Sequence, residues 1–152
     1  MSETLNVGDK APEIQAQTYG GETIKLSDYK GDKNVALYFY PKDNTGTCTK
    51  EACSMRDGMG ELEGLSIQVL GVSTDSVKSH ENFKNKYDLN FPLLSDKSKE
   101  IIQAYGVESD FGSARRMTFL IDKKGVIRHI WPKVKAAQHA EEVAEMVKEL
   151  GL

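Results

Sequence analysis

The stretch Val35-Ala36-Leu37-Tyr38-Phe39-Tyr40-Pro41-Lys42-Asp43-Asn44-Thr45-Gly46-Thr47-Cys48 decides how this chain is read. Its first six residues form an unbroken apolar and aromatic run, which predicts a central strand buried on both faces. Residues 41–47 hold Pro, Asp, Asn and Gly, the composition of a loop. A helix is expected over 48–63, although Gly58 and Gly60 lower its propensity. A thiol in the first turn of a helix meets unpaired backbone N–H groups and the positive end of the helix dipole. Both favour the thiolate, which is the reactive form. Cys53 follows five residues later, and the chain holds two cysteines in all. That pair marks a redox site.

Working outward, residues 13–18 and 22–26 alternate apolar and polar positions around Gly20-Gly21, a hairpin signal. Residues 67–73 read as a second β-branched strand. A helix over 76–87 follows, with Val77, Phe83 and Tyr87 on its expected buried side. Residues 91–94 form a short extended segment, and Asp96 can cap a helix over 97–105 that stops at Gly106. Residues 117–122 and 126–131 flank the turn Lys123-Lys124-Gly125 and form a second hairpin, with Trp131 half-exposed at its end. The last helix, over 138–150, places Val143, Met146, Val147 and Leu150 at i, i+3, i+4 and i+7. This alternation implies an α/β fold, a central mixed sheet flanked by helices, with an N-terminal β-hairpin. A strand that runs into a helix opening with Cys is the thioredoxin-like layout. No repeat, linker or low-complexity tract interrupts residues 1–152, so they read as one domain with room for a substantial core.

Composition narrows the function classes. The balance of 20 Lys+Arg against 23 Asp+Glu gives −3 without a long basic run, which disfavours nucleic acid. A small neutral substrate needs no electrostatic steering. The opening Met-Ser-Glu-Thr-Leu-Asn-Val-Gly-Asp-Lys lacks an apolar stretch, so no signal peptide is expected. No window nears the roughly 20 apolar residues of a membrane span. A cytoplasmic location is expected, where a transient disulfide is compatible and a permanent one is disfavoured. Cys48, Cys53, His80, His129 and His139 lack the paired spacing of a structural zinc site, so no metal is expected. His80 and His129 receive no role.

Pro41-x-x-x-Thr45-x-x-Cys48 followed by Glu51 resembles the active-site motif of the peroxiredoxins. Tyr38-Phe39-Tyr40-Pro41-Lys42-Asp43-Asn44-Thr45, Phe91-Pro92-Leu93-Leu94-Ser95-Asp96 and Thr118-Phe119-Leu120-Ile121-Asp122 extend the likeness to the bacterioferritin-comigratory (Q-type) branch, over nearly the whole chain. The resemblance implies a thiol peroxidase that reduces hydrogen peroxide and organic hydroperoxides without haem, flavin or metal. Cys48 would attack one peroxide oxygen while the leaving oxygen gathers charge, so a cation is needed beside it. By position relative to Phe119-Leu120-Ile121-Asp122, the resemblance maps the family's arginine onto Arg116. Its neighbour Arg115 should point to the opposite face by strand alternation. Thr45 would aim its hydroxyl at the thiolate or peroxide, and Pro41 would shape the loop and shield the sulfur. Glu51 would orient the arginine, and Phe39, expected mainly in the sheet core, can wall the pocket. The branch commonly reads Thr-Pro-Gly-Cys, whereas this chain has Thr45-Gly46-Thr47-Cys48. That leaves a less rigid loop and offers Thr47 as an N-cap.

The sulfenic acid formed on Cys48 would condense with Cys53, the other thiol of the chain, and thioredoxin or a similar dithiol would reduce the disulfide. A resolving thiol in the same subunit leaves a monomer or weak dimer competent. Helical residues five apart have Cα atoms roughly 8.5 Å apart, beyond the ~7 Å reach of a disulfide. The first turns of the helix are therefore expected to unwind on oxidation. A general disulfide oxidoreductase is the nearest rival enzyme, but it usually places two residues between its cysteines rather than four. A redox sensor or holdase is the rival from outside catalysis.

Overall fold

The structure, a computed structural model, describes residues 5–152, so the first four residues of the opening segment read above lie outside it. The apolar run becomes β3 (Asn34–Phe39), buried at all six positions. It pairs in parallel with β4 (Ile67–Ser73) and antiparallel with β6 (Met117–Ile121). Around this trio β1 (Gln15–Thr18), β2 (Thr23–Lys25), β5 (Leu93–Ser95) and β7 (Ile127–Trp131) complete a seven-stranded mixed sheet in the order β2-β1-β5-β4-β3-β6-β7. The helices are α1 (Gly46–Gly64), α2 (Val77–Tyr87), α3 (Glu100–Ala104) and α4 (His139–Leu150). Both expected hairpins and the expected strand–helix alternation are present. No helix among the described residues is long and apolar enough to cross a membrane.

Strand alternation divides β3 between two cores. Ala36 and Tyr38, with Tyr40 just beyond the strand, join Cys48, Met55, Phe83 and Val143 beneath α1, α2 and α4. Val35, Leu37 and Phe39 face the other way, toward Ile102, Tyr105 and Phe119. Phe39 packs with ring centroids 5.4 Å from Tyr105 and 5.8 Å from Phe119. It therefore lies across the sheet from Cys48 and does not wall the pocket. Tyr38 and Tyr40 share the cysteine's face instead.

Several element limits differ from expectation for local reasons. The first helix begins at Gly46, two residues early, because Thr45 stays extended (φ −98°, ψ 160°) as its N-cap. Ser76 accepts from Ser79 N at 3.1 Å and so starts α2 at Val77. The buried side of α2 is His80 and Phe83, with Val77 and Tyr87 only partly covered. α3 shrinks to five residues because Lys99 takes a left-handed φ of 65°. Asp96 still caps it, accepting from Ile101 N at 3.2 Å and Ile102 N at 2.8 Å. Trp131 is buried rather than half-exposed, wedged between the rings of His129 and His139.

Both sheet edges are blunted. β2 is three residues long and ends in Lys25. The start of β7 is covered by the N-terminal segment: Gly8 N donates to Ile127 O at 2.8 Å, and Ile127 N donates to Asp9 O at 2.9 Å.

Gly58, which weakened the helix reading, is where α1 meets α4. A Cβ there would sit 2.5 Å from Ala140 Cβ, while one on Gly60 would meet nothing within 4 Å. Gly60→Ala should therefore stabilise the fold by about 0.5–1 kcal/mol through helix propensity. Gly58→Ala should destabilise it by about 1–3 kcal/mol by overpacking, despite the same propensity gain. Urea unfolding of both variants beside the parent checks the pair, and two shifts of the same sign would contradict it.

Candidate active site

Cys48 is the third residue of α1, in the turn whose backbone N–H groups lack helical acceptors. It is 2 % exposed, set in the core under the β3 exit. Its sulfur accepts from Arg116 Nη2 at 3.2 Å. Arg116 immediately precedes β6, and the antiparallel register that opposes Met117 to Phe39 delivers it to this end of β3. Its Nη1 donates to Glu51 Oε1 at 2.7 Å. Glu51 is three residues beyond Cys48, so both project from one face of α1. Arg115 turns away as alternation requires, donating through Nη2 to Gly106 O at 2.6 Å.

The electrostatics follow from this convergence. Burial works against the Arg116 charge, but the hydrogen bond to Cys48 and the charges of Glu51 and Cys48 outweigh it and raise its pKa further. For Glu51 burial dominates and lifts the carboxyl to about 7; Arg116 pulls the other way, and Glu142 adds to the rise. Glu142 belongs to a second chain of contacts, accepting from His139 Nδ1 at 3.0 Å, while His139 Nε2 meets Thr118 Oγ1 at 2.7 Å. Burial lowers the His139 pKa. Tyr38, on the same face, is held well above its ordinary pKa by burial and then by the charges of Glu51 and Cys48. Such a group stays a neutral phenol. A guanidinium against a buried sulfur at a helix N-terminus offsets negative charge that builds there.

The remaining residues singled out from sequence fall in place unevenly. Pro41 is half-buried at the top of the loop. Thr45 is exposed, and its hydroxyl donates to Lys42 O at 3.1 Å. Thr47 is not the N-cap, because the helix has already begun one residue before it. Cys53 is half-buried and both thiols are free, on one uninterrupted helix.

Sequence reasoning missed a buried polar cluster under the loop. Asp43 and His80 are both nearly inaccessible, and Asp43 Oδ2 lies 2.7 Å from His80 Nδ1. With Asp75 they place ligand-type atoms within 4.8 Å of one another, the one such group among the described residues. All three are occupied by hydrogen bonds within the protein. The available signal was position: His80 precedes Phe83 by three residues on the helix face that is buried. A cavity of about 360 Å³ is lined by Pro12, Leu26, Val35 and Ile121. Val35 stands at the opposite end of β3 from the cysteine, so this cavity is no part of the site.

With that geometry in place, residues 7–130 match the AhpC/TSA family. The chain belongs to the AhpC/TSA family. Within it, a Bcp peroxiredoxin relative from Coxiella burnetii is 50 % identical over 92 % of this chain and 97 % of its own. The structure of the Xylella fastidiosa peroxiredoxin Q superposes with a TM-score of 0.91 at 34 % identity, covering 99 % of both chains. A bacterioferritin comigratory protein of Xanthomonas campestris, whose structure was described for alkyl peroxide reduction, gives 0.85 at 33 % identity over 91 % of this chain and 92 % of that one. These relatives carry the thioredoxin-like fold that the strand–helix layout predicts.

Two outcomes test the site's energetics. Glu51 binds its proton more tightly folded, at about 7, than at the ordinary 4.5. Its contribution to stability is therefore complete below pH 4.5 and lost as pH rises through about 7. Glu51→Gln has no proton to lose, so across that window the parent should lose about 2–3 kcal/mol relative to the variant. Urea unfolding at stepped pH reads the difference, and a flat one would refute it. Gly46 occupies the first helical position, after an extended Thr45 and with open space at its Cβ, which suits proline. Gly46→Pro should stabilise by about 0.4–1 kcal/mol, visible as a higher Tm.

Proposed function

We propose that this AhpC/TSA-family thiol peroxidase reduces hydrogen peroxide and organic hydroperoxides through Cys48, with Cys53 as the resolving thiol and thioredoxin or a similar dithiol as the final reductant. The observation that carries the reading is Arg116 Nη2 at 3.2 Å from the buried Cys48 sulfur. The Xanthomonas campestris relative's alkyl peroxide reduction supports the organic branch of the substrate class.

The chemistry runs as two displacements. The Cys48 thiolate attacks one peroxide oxygen, the S–O bond forms and the O–O bond breaks. The other oxygen leaves as hydroxide or alkoxide and takes up a proton to give water or alcohol. Arg116 offsets the charge on the sulfur and on the departing oxygen, worth several kcal/mol in a water-excluded site. Glu51 fixes the guanidinium by the 2.7 Å ion pair. Thr45 can turn its hydroxyl from Lys42 O toward the peroxide, and Pro41 is assigned the role of shielding the sulfur from water. The Cys48 sulfenic acid then condenses with the Cys53 thiol, releasing water and leaving a disulfide. Two exchange steps with an external dithiol restore both thiols.

Both cysteines lie on the intact α1, where a five-residue separation puts their Cα atoms roughly 8.5 Å apart, so the first turns must open before the disulfide closes. We propose that the reaction runs in the cytoplasm and needs neither nucleic acid nor membrane. Because the resolving thiol belongs to the same chain, a monomer or weak dimer suffices.

Single-turnover peroxide consumption by pre-reduced protein, with intact mass read at the end, tests the assignment. The parent should consume one equivalent and lose two hydrogens, Cys48→Ser should be inert, and Cys53→Ser should gain one or more oxygens. Arg116→Met should react about 10²–10³-fold more slowly, the usual cost of one charge-stabilising donor. Cys48→Ser reacting as fast as the parent would overturn the nucleophile. Amide exchange across residues 48–57 should rise in the disulfide form, and matching protection in the two redox states would sink the opening of α1.

A further inference from the structure

The loop that carries Pro41 and Thr45 is fastened to the protein chiefly through one residue. Its grip on the protein is Asp43, which points inward and is 6 % exposed. Asp43 Oδ1 accepts from Tyr40 OH at 2.6 Å, and Oδ2 accepts from Ser79 Oγ at 2.8 Å and faces His80 Nδ1 at 2.7 Å. Its backbone N–H donates to Asp75 Oδ2 at 2.8 Å. His80 is fully buried, and its Nε2 lies 3.0 Å from Leu94 O. One ring nitrogen thus faces the loop carboxylate and the other the Leu94 carbonyl, so the imidazole spans loop and sheet. Beside it, Asn44 Oδ1 accepts from Lys86 Nζ at 3.3 Å and Tyr87 OH at 3.2 Å. Asn44 itself sits at a left-handed φ of 60°.

Two consecutive loop residues are thus fastened by α2, one at each end of that helix, midway between Pro41 and Thr45. Cys48 and Arg116 are held independently of α2, by α1 and β6. We propose that His80 is a positioning residue for the peroxide: through Asp43 it fixes the loop that presents Pro41 and Thr45 over the Cys48 sulfur, without acting on the thiolate itself. The inference rests on the peroxidase reading above. Removing the tie displaces groups that touch the peroxide while leaving the Arg116–Cys48 contact in place. Peroxide reactivity and plain thiolate reactivity should then separate.

The test uses His80→Leu, which removes both ring nitrogens, and His80→Asn, whose amide can still donate to Asp43. Ser79→Ala removes a single donor to the same oxygen. For each, stopped-flow rates with hydrogen peroxide are set beside rates of Cys48 alkylation by iodoacetamide, and urea midpoints confirm folding. His80→Leu should lose about tenfold to a hundredfold in the peroxide rate, the scale of a misplacement near 1 Å, with alkylation unchanged. His80→Asn should recover part of that loss, and Ser79→Ala should shift the same way by less. A peroxide rate at the parent's level in His80→Leu, or equal losses of both reactivities, overturns the inference. If His80→Leu does not fold, parent-level peroxide rates in both other variants overturn it. A parent protein that consumes no peroxide would instead bring down the peroxidase reading.

Discussion

The antiparallel pairing of β3 with β6 is the constraint on which the site depends. Opposing Phe39 to Met117 fixes where the residue before β6 lies, and that residue is Arg116. A slip of one residue would send Arg116 to the far side of the sheet and bring Arg115 inward, since strand side chains alternate with a period of two. The helix supplies the rest of the geometry. Cys48 and Glu51, three apart on α1, converge on the one guanidinium from below. Each member of the trio needs the others. A carboxylate as buried as Glu51 is costly unless paired, and Arg116 would be a solvated strand-end cation without its two acceptors.

Much of this was legible in the sequence. The apolar run at 35–40 marks the central strand because burial on both faces demands it, and the second hairpin declares itself by its turn. Cys48, Glu51 and Arg116 follow from a motif and from alternation. Element limits were less legible because they are set by single capping contacts. Ser76 starts α2 through its own side chain, and Lys99 ends the approach to α3 by a left-handed turn that lysine rarely adopts. Phe39 was misplaced because sequence reveals which residues alternate, not which set faces the helix bearing the cysteine. The Asp43–His80 pair joins residues 37 apart, and only the docking of α2 against the loop brings them together. Trp131 is buried for a similar reason, since His139 arrives from the start of α4.

Two of the buried ionisable clusters in this protein have different partners. Glu51 and Arg116 sit under the sulfur, where Glu51 keeps one oxygen without a hydrogen bond among the described residues. Asp43 and His80 sit under the loop, with every acceptor met. The first cluster is electrostatically strained and the second is satisfied, as expected when one group does chemistry and the other holds shape. The Gly58 contact belongs to the second kind: it lets α4 approach α1 closely downstream of Cys53 and marks where the helix is clamped.

The blunted sheet edges carry a consequence for a molecule that opens part of itself in every proposed turnover. Unwinding the first turns of α1 would bare apolar surface near Ala52 and Met55, which are now wholly covered. Exposed apolar surface beside an unpaired strand edge is the combination that seeds intermolecular β-pairing. Here the edge strands offer little to pair with, because β2 is short and ends in a lysine, and the start of β7 is already bonded to the N-terminal segment. The edge strands thus leave an opened α1 little template on which to pair.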